Sequence, residues 1–512
     1  MGDLLNRNAV KIMTVHACVT GDTIVPTSNG LMTIQELVNK NDYNIKVFNG
    51  EYYDSVNKFI KNPKQKILKI TTNFGNQIKV SEDHDVIILT DNGHKKIKAK
   101  DLCGKEEILI KRGIKDYLYS NEKLAIPRKE EFDTRTVIYN VPNKLNRELA
   151  ELVGMITADG TYNEKSIHYI KHYKECVDRF AELIYLCFDK KIEVKQCSDR
   201  DAWYAECNSV YILNFLKQNF DGITPLHKKI SSTIMKSSNE NQCAFLRGFF
   251  EDCTVELKEG SVDNVCLTFK NDEIKPQLQS LMSAIGIPTS FAKRTYQEKT
   301  LNYIYIYSTG LETFRDKIGF ITNAKQDRLN SYTQKYDRRN KSAAFKNIML
   351  NNKEDLYING NSRFWNNITK QEGMGREGFF KYYEKLSDEQ KKNNNIIYIK
   401  NIFEEYEVEK ISLIEVCEDE ETYCLTMEHK AQFLQNGFLM GNCKGLEFDN
   451  VVAVGCKTFN EEERRICYVA ATRAMQSLYW CPSIRPYRGK AKNKSHLAGN
   501  VFSKTERKTI QF

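Results

Sequence analysis

Several features of other protein classes are missing from this 512-residue sequence. It contains no run of about 18 apolar residues, which excludes a helix that spans a membrane. The first residues carry no cationic head followed by an apolar run, so a secretory signal is not expected. No two cysteines stand as C-x-x-C, which argues against a zinc ribbon. Fifteen cysteines without a secretory signal predict reduced thiols in a cytoplasmic or other reducing compartment.

The composition that is present is that of a large globular protein. Hydrophobic residues make up 41% and charged residues 28%, and the length predicts about three domains. The net charge of +9 permits a nucleic-acid partner without establishing one. His168, His172 and Cys176 have the spacing of one helical stripe, but no close cysteine pair precedes them, so a zinc finger is not predicted.

The pattern of strands and helices changes twice along the chain. Residues 18–125 read as short strands between Asn-Gly and Asp-Asn-Gly turns, which predicts an all-β module. From residue 146 the pattern is helical, with strands such as SVDNVCLTFK and LNYIYIYSTG between the helices. Residues 340–400 are rich in Asn and Lys and predict a mixture of linker and peripheral helix. Strand character then returns, so an α+β insertion interrupts the β module.

The two ends of the chain form one motif when the middle is removed. Thr14–Ala17 followed by Cys443 reads TVHA-CKGLEFDNVVAVG, and EEERRICYVAATRAMQSLYW comes after it. This resembles two motifs of UvrD/Rep-type superfamily I DNA helicases, T-x-H-x-x-K-G-L-E-F and Y-V-A-x-T-R-A. The resemblance implies that the segment around Lys444 couples nucleotide to DNA and that Arg473 reaches the terminal phosphate. The helicase motif residues it implies are His16, Lys444, Gly445, Glu447 and Arg473.

The phosphate-binding loop G-x-x-x-x-G-K-[ST] is absent from the sequence. Phosphates therefore lack a cradle, and ATP hydrolysis by this chain alone is not expected. The flanks resemble only a C-terminal piece of an α/β helicase domain. ATP is expected only in an assembly with a separate helicase chain that carries the phosphate loop.

The interruption carries its own ordered blocks. It opens at Cys18 with C-V-T-G-D-T-I-V, and residues 75–84 match G-x-x-I-x-x-[ST]-x-x-H. It closes with Tyr-Cys-Leu at residues 423–425 and Asn-Gly-Phe before Asn442-Cys443. This order resembles an intein of the Hint fold. The resemblance implies autocatalytic protein splicing, which excises residues 18–442 and ligates the flanks.

The resemblance also assigns roles in the first splicing step. The Cys18 thiolate attacks the carbonyl of Ala17 and converts a peptide bond into a thioester. His84 protonates the departing amide nitrogen, while Ser81 and backbone N–H groups hold the developing oxyanion. The remaining steps need no cofactor. Cys443 attacks the thioester, and Asn442 then cyclises onto its own carbonyl and releases the intein.

Three positions depart from the usual family pattern. Gly441 stands where many members have a His that assists cyclisation. Ala431 replaces another usual His, although His429 lies two residues earlier. Cys424 occupies a position often held by Asp and is expected to handle protons near the junction. These departures concern the rate of Asn cyclisation more than its occurrence.

The insertion contains two copies of another motif. Residues 152–160, LVGMITADG, and residues 245–255, FLRGFFEDCTV, resemble the paired motifs of LAGLIDADG (DOD-type) homing endonucleases. In that family two helices pack side by side, which explains Gly154 and Gly248 at a close contact. The acids at the helix ends hold Mg²⁺ for hydrolysis of double-stranded DNA. Leu278–Pro288 resembles the helix and turn that follow.

The second copy is one residue shorter than the family motif. Without a gap Cys253 takes the place of the catalytic acid, and with a gap Asp252 does. Glu251 or Asp252 reaches the metal only if the helix end adjusts, because one residue turns a helical side chain by about 100°. Asp159 and Asp252 are the expected metal ligands, and the cleavage activity is expected to be reduced or lost. Lys293 and Arg294 are either DNA contacts or part of a solvated face.

The sequence thus predicts a mixed, multidomain fold in which an α+β endonuclease interrupts an all-β Hint domain between helicase pieces. Two alternatives stay open: a Hint domain that only cleaves, and a helicase fragment that acts with a separate ATP-binding chain. No membrane partner is expected. The predicted domains are 1–17 (N-extein), 18–130 (first Hint half), 131–340 (endonuclease), 341–400 (linker or peripheral segment), 401–442 (second Hint half) and 443–512 (C-extein).

Overall fold

The computed structural model describes residues 18–129, 134–223, 229–296, 299–333, 341–357, 362–442, 448–454 and 474–481. The chain divides into two compact units, one of Ala17–Asn442 and one of Met1–His16 with Cys443–Phe512. Within the described ranges, no helix is both long enough and apolar enough to cross a membrane.

The first and last parts of the larger unit form one β module. Its main sheet has the strand order β1-β7-β6-β21-β10-β23-β8-β9 with β22 on β23, and a second sheet has the order β3-β2-β4-β5. The early strands are β1 (Val19–Thr20), β2 (Ile24–Thr27), β3 (Gly30–Thr33), β4 (Val47–Phe48), β5 (Tyr53–Asp54), β6 (Val56–Thr72), β7 (Gln77–Ser81), β8 (Asp85–Thr90), β9 (Gly93–Lys98) and β10 (Glu107–Lys111). The late strands are β21 (Tyr406–Met427), β22 (Gln432–Gln435) and β23 (Phe438–Gly441).

The prediction of strands alone in this module was wrong at helix α1 (Ile34–Lys40) and at a 3₁₀ helix, Ala99–Asp101. Helix α1 follows β3 directly, and the Thr33 side chain accepts a hydrogen bond from the Glu36 N–H at 3.1 Å. This cap, an acid in the first turn and the buried Ile34 and Leu37 favour a helix. The helix is only two turns long, which is too short for a clear periodic signal in the sequence.

The two halves of the β module are joined by long strands. β6 pairs antiparallel with β21 from Val56↔Met427 to Thr72↔Ile411, so neither half completes the sheet alone. β10 also pairs with β21, and Lys111 lies opposite Tyr406. The chain therefore leaves the sheet after Lys111 and re-enters beside it at Tyr406. Because the two ends are neighbours, everything between them is accommodated without disturbing the sheet.

The insertion contains two four-stranded antiparallel sheets, β11-β12-β14-β13 and β15-β16-β18-β17. Its helices are α2 (Arg147–Asp159), α3 (Lys174–Phe188), α4 (Val210–Asn219), α5 (Ser232–Met235), α6 (Asn239–Phe249), α7 (Ile274–Ile285), α8 (Thr309–Lys317) and α9 (Asn323–Asn330). Its strands are β11 (Thr161–Tyr162), β12 (Ser166–Lys171), β13 (Val194–Gln196), β14 (Trp203–Asn208), β15 (Thr254–Lys258), β16 (Ser261–Phe269), β17 (Thr289–Tyr296) and β18 (Lys299–Tyr307). The predicted helices and strands of this region are present.

The predicted helical stripe of two histidines and a cysteine is wrong. His168 lies in strand β12, and His172 follows that strand and is exposed. Cys176 is buried in α3, where burial raises the pKa of its thiol to about 12. Strand β12 pairs with β14 as far as Lys171, and helix α3 begins only at Lys174. The three residues therefore lie on a strand, in a connection and on a helix, and do not share one helical face.

A helical segment follows the insertion and leads back to β21. Its elements are β19 (Lys341–Ser342), α10 (Ala343–Asn351), α11 (Lys353–Leu356), α12 (Ser362–Lys370), β20 (Met374–Gly375), α13 (Arg376–Tyr383) and α14 (Asn394–Glu405). The buried Glu107 of β10 accepts hydrogen bonds from Ser342 Oγ and Ala343 N–H, both at 2.6 Å. A carboxylate at the start of α10 satisfies its free N–H groups and fixes the segment to the β module.

Two apolar cores support these parts. The smaller core lies inside the β module and includes Val25, Ile70 and Val80. The larger core fills the insertion and the helical segment and extends to β-module residues such as Leu109 and Leu439. The insertion therefore packs on the β module through a shared core.

The second unit contributes two described strands. β24 (Phe448–Val454) and β25 (Ala474–Cys481) pair in parallel. Parallel pairing of strands close in sequence needs a crossover connection and is typical of α/β domains.

Candidate functional sites

Cys18 is the first described residue, and both its backbone and its side chain take part in hydrogen bonds. The residue is fully buried, and its N–H donates to Ser81 Oγ at 3.0 Å. Its carbonyl accepts from the Ser81 N–H at 2.8 Å. Asn62 Nδ2 donates to the Cys18 sulfur at 3.0 Å. These hydrogen bonds fix the positions of both the backbone and the sulfur of Cys18.

Ser81 contacts the nitrogen side of the bond that precedes Cys18. The oxyanion role predicted for Ser81 requires contact with the carbonyl of Ala17, and Ala17 lies outside the described residues. The observed bond instead runs from the Cys18 N–H to Ser81 Oγ. Ser81 thus orients the amide nitrogen that would leave in an N-to-S acyl shift.

A short connection between β7 and β8 joins both ends of the predicted interruption. It begins at Ser81, which bonds Cys18, and continues with buried His84, whose N–H donates to the Ser81 carbonyl at 3.0 Å. It ends at Asp85, which lies against Gly441, because an added Cβ on Gly441 would lie 2.5 Å from the Asp85 Cβ. In the sequence, His84 therefore comes directly before Asp85, which contacts Gly441, and three residues after Ser81, which contacts Cys18.

Asn442 is buried at the end of strand β23. Its N–H donates to the Ala431 carbonyl at 2.9 Å, which continues the β22–β23 pairing by one residue. Its side-chain Oδ1 is buried and has no hydrogen-bond partner among the described residues. The backbone of Asn442 is thus fixed, while Oδ1 does not hold the carboxamide in one rotamer.

Cys424 and His429 occupy different surroundings. Cys424 is buried on β21, one residue beyond Tyr423, which lies opposite Val19, and it pairs with Ile60 of β6. His429 is exposed, and its Nδ1 lies 2.7 Å from Oδ1 of buried Asp54. This contact with Asp54 raises the pKa of His429. His429 therefore anchors the turn after β21, and the structure does not bring it to Asn442.

Helices α2 and α6 pack in direct backbone contact. A Cβ on Gly154 would overlap the Phe245 carbonyl oxygen, and a Cβ on Gly248 would overlap the Glu151 carbonyl oxygen. Only glycine allows such an approach at both positions. The two motif copies thus form the paired helices that the sequence predicts.

The ends of these two helices bring two carboxylates to one lysine. Asp159 is the last residue of α2, and Asp252 ends a 3₁₀ turn, Phe250–Asp252, that follows α6. Lys171 Nζ, at the end of β12, donates to Asp159 Oδ2 and, at 2.8 Å, to Asp252 Oδ1. Burial lowers the pKa of Lys171, but the two carboxylates outweigh it and raise the pKa overall. The tighter 3₁₀ turn is the adjustment that the shortened motif requires.

Glu251 and Cys253 point elsewhere. The buried Glu251 carboxylate accepts from the Ile321 N–H at 2.9 Å and from the Thr322 N–H and hydroxyl, just before α9. Cys253 is buried, which raises the pKa of its thiol. The structure therefore brings Asp252, and neither of its neighbours, to Asp159.

Lys293 and Arg294 lie on strand β17. Lys293 Nζ donates to Asp272 at 2.8 Å, and Arg294 lies over the ring of Tyr303 at 5.2 Å. Tyr303, Tyr305 and Tyr307 stack along β18, with ring centroids 6.1 and 5.5 Å apart. This face of the sheet combines a cation with aromatic rings.

The splicing residue Cys443 and the helicase residues His16, Lys444, Gly445, Glu447 and Arg473 lie outside the described residues. Sequence analysis missed Asn62 and Lys171, which belong to no motif. The alternation of side chains along β12 is the one sequence signal that could have indicated that Lys171 lies on the face of the strand next to the end of α2.

Comparisons with solved structures give matches to parts of the chain. The transcription factor IIB Mvu mini-intein is 16% identical and covers 19% of this chain and 69% of its own, with a TM-score of 0.18. The gp41-1 intein is 22% identical and covers 18% of this chain and 68% of its own, with a TM-score of 0.16. I-DmoI in complex with DNA and Ca is 13% identical and covers 34% of this chain and 88% of its own, with a TM-score of 0.26.

The curated relatives match a larger share of this chain than the solved structures do. The matched part is only a small share of each relative's own length. The replication factor C small subunit of Methanocaldococcus jannaschii is 26% identical over 337 residues, which are 62% of this chain and 17% of that protein. The ribonucleoside-diphosphate reductase NrdEB subunit alpha of Bacillus subtilis is 20% identical over 327 residues, 58% of this chain and 28% of that protein. Neither name describes a helicase.

One family matches over most of the chain. The family described as intein splicing domain matches residues 24–442. The match begins in β2, passes through the whole insertion and ends at Asn442. The chain therefore belongs to the intein splicing domain family.

Proposed function

We propose that the chain splices itself at Cys18 and Cys443, so that residues 18–442 leave and the two flanks are joined. The observation that carries this proposal is the Ser81–Asp85 connection, which contacts Cys18 at one end and Gly441 at the other. Splicing needs the first nucleophile and the cyclising Asn close to one acid–base group. His84 lies within this connection.

The first step would use contacts around Cys18. Asn62 donates to the sulfur that would attack the Ala17 carbonyl, and Ser81 Oγ holds the Cys18 nitrogen. The C–N bond breaks as the thioester C–S bond forms, and His84 is the expected proton donor to the leaving nitrogen. Cys424, one residue beyond the β21 partner of Val19, is a second group that can relay a proton. No cofactor is required, because all reacting groups are on one chain.

The later steps occur at the other end of the connection. Cys443 attacks the thioester carbonyl and takes over the acyl group, and the Cys18 thiol is released. Asn442 Nδ2 then attacks its own carbonyl, which breaks the bond to Cys443 and leaves a cyclic imide on the excised segment. The extein thioester on Cys443 finally rearranges to an amide.

Product masses of the expressed chain test the proposal. We expect one product of residues 1–17 joined to 443–512 and a second product of residues 18–442. The matched control is Cys18→Ala with Asn442→Ala, which should remain at the full-length mass of 59.5 kDa. Unligated fragments would instead support the alternative of a module that only cleaves.

A second proposed activity is hydrolysis of double-stranded DNA by the insertion. The convergence of Asp159 and Asp252 at the close contact of α2 and α6 favours it. Two carboxylates that share one ammonium group are close enough to share a cation, and oxygen ligands suit Mg²⁺. Bound Mg²⁺ would supply charge stabilisation at the phosphate. Lys171 would keep the acid pair together and place a positive charge beside the scissile phosphate.

Calorimetry and cleavage assays test this second activity. Mg²⁺ should bind the chain, and Asp159→Asn or Asp252→Asn should weaken the binding at least about tenfold. The same variants should abolish any Mg²⁺-dependent cutting of a random duplex DNA library. Asp201→Asn, an exposed acid in the same insertion, should change neither result. Equal binding by all four proteins would refute the site.

We further propose that the flanks belong to a helicase that acts with a separate chain. The parallel pair β24–β25 supports an α/β character for the second unit. Binding of ATP to the spliced product alone is not expected. Binding that appears only after a chain with a phosphate loop is added would support this assignment.

A further inference from the structure

A buried glutamine of the insertion bridges a strand and a turn of the β module. Gln279 lies on α7 and is 1% exposed. Its Oε1 accepts from the Gln77 N–H at 2.8 Å. Its Nε2 donates to the Gln77 carbonyl at 3.2 Å and to the Asn436 carbonyl at 2.7 Å. One carboxamide therefore joins two segments that are distant in sequence.

The two bridged segments lead to opposite ends of the splicing site. Gln77 begins β7, whose last residue, Ser81, bonds Cys18. Asn436 begins the turn between β22 and β23, and β23 runs to Gly441 next to Asn442. Asn436 Oδ1 also accepts from a β2 N–H at 2.7 Å, so the turn is fixed on both sides.

Other contacts hold α7 against the same turn and against the chain at the end of β10. Ser283 Oγ donates to the Lys111 carbonyl at 2.8 Å. Gly437, with a φ of 82°, leaves room for Ser283, because a Cβ at that position would lie 2.8 Å from Ser283 Oγ. The N–H groups of Gly113 and Ile114 donate to the last carbonyls of α7 at 2.7 and 2.9 Å. The end of α7 is thus fixed both to the β22–β23 turn and to the segment that follows β10.

We infer that Gln279 is a positioning residue for splicing, an inference that rests on the proposed splicing function. Its three hydrogen bonds reinforce a single direct bond between the two segments, from Asn436 Nδ2 to the Gln77 carbonyl at 3.5 Å. The carboxamide therefore helps to set the offset between β7 and the β22–β23 turn, and with it the position of Ser81 and His84 relative to Asn442. The insertion then contributes to the geometry of the splicing site. Loss of the bridge should slow both the first and the last chemical step.

Two purified precursors separate these steps. In Asn442→Ala with Cys443→Ala, dithiothreitol releases residues 1–17 from the Cys18 thioester. In Cys18→Ala, cyclisation of Asn442 releases residues 443–512. Adding Gln279→Met, which keeps the length but loses all three hydrogen bonds, should slow both releases about tenfold. The matched control is Gln242→Met, a fully buried glutamine whose bonds to Tyr117, Met235 and Ser237 involve neither β7 nor the β22–β23 turn.

The outcomes are distinct. Slowing in Gln279→Met, with Gln242→Met unchanged in rate and equal in its loss of thermal stability, supports the inference. Unchanged release rates, or equal slowing by both variants, overturn it. If Gln279→Met does not fold by circular dichroism, Gln279→Asn replaces it, since its shorter amide cannot reach both segments. A wild-type chain that does not splice overturns the proposed function itself.

Discussion

At the scale of single residues, the proposed attack by Cys18 would involve Asn62, which donates to its sulfur at 3.0 Å. Asn62→Ala should slow release of residues 1–17 from the Asn442→Ala with Cys443→Ala precursor about tenfold, because a hydrogen bond to a charged group is worth about 1.5–3 kcal/mol. Asn44→Ala, an exposed asparagine bonded to Asp42, is the control. Equal rates in the two variants would show that Asn62 does not assist the thiolate.

A second prediction at this scale concerns Glu409, buried between Thr72 and Asn76. Burial raises the pKa of Glu409 to about 8 from 4.5, although both neighbours donate hydrogen bonds to it. Between these values the folded protein holds a proton that the unfolded chain has lost. Stability should therefore fall as the pH rises from about 4.5 to about 8, by up to about 5 kcal/mol.

Thermal unfolding measured across this pH range checks the prediction. Glu409→Gln should flatten the dependence of Tm on pH, since an amide keeps the contacts with Thr72 and Asn76 without titrating. Glu415→Gln, in the same strand but half-exposed and paired with Lys69, should leave the slope unchanged. A Glu409→Gln protein with the wild-type slope would contradict the assignment.

Residues that belong to a sequence motif could be predicted from the sequence, and residues outside any motif could not. Cys18, His84 and Asn442 stand in ordered blocks, and the structure places His84 in the short connection between the other two. Asn62, Lys171 and Gln279 are found only through contacts between distant segments. The choice among Glu251, Asp252 and Cys253 likewise depended on a 3₁₀ turn that no local pattern announces.

At the scale of elements, strand β23 approaches β8 too closely for a side chain at Gly441. Gly441→Ala should displace the strand end from Asp85 and slow release of residues 443–512 from the Cys18→Ala precursor about tenfold, given about 1–3 kcal/mol for overpacking. Gly441→His should slow it as well, although His is usual in the family. The helical Gly378, which has open space around it, provides the control variant Gly378→Ala. Faster release from Gly441→His would contradict this account.

The contact of α2 with α6 gives a second prediction for elements. Gly248→Ala should lower the free energy of unfolding by at least about 2 kcal/mol, because its Cβ meets the α2 backbone, which cannot rotate away. In an exposed helix the same substitution usually stabilises by about 0.5–1 kcal/mol. Urea unfolding of Gly248→Ala and Gly378→Ala should therefore shift in opposite directions. A shift in the same direction would show that the helices separate easily.

The long elements could be predicted from their periodicity, and the short or long-range ones could not. The pattern of α2, α3 and α6 predicts each as a helix, and their ends are within a few residues of the observed ones. Helix α1 is too short to show a period. The pairing of β6 with β21 joins residues more than 300 positions apart, and only the reappearance of strand character after the insertion pointed to it.

At the scale of the whole molecule, the insertion enters and leaves the β module at adjacent strands, and it also contributes Gln279 to the splicing strands. The structure thus explains both how an insertion is tolerated and why it is not independent of the module. The predicted domain boundaries stay predictions, and so does the origin of the flanks.

The most direct measurement of the central claim is the peptide across the new junction. Trypsin cuts after Lys11 and Lys444, so a spliced product yields IMTVHACK, in which Ile12–Ala17 is joined to Cys443 and Lys444. No unspliced chain contains this peptide, because Ala17 is then followed by Cys18 and Val19. Tandem mass spectrometry should find it in the wild-type digest and not in Cys18→Ala with Asn442→Ala. Its absence from the wild type, with peptides that end at Ala17 or begin at Cys443, would show that the chain only cleaves.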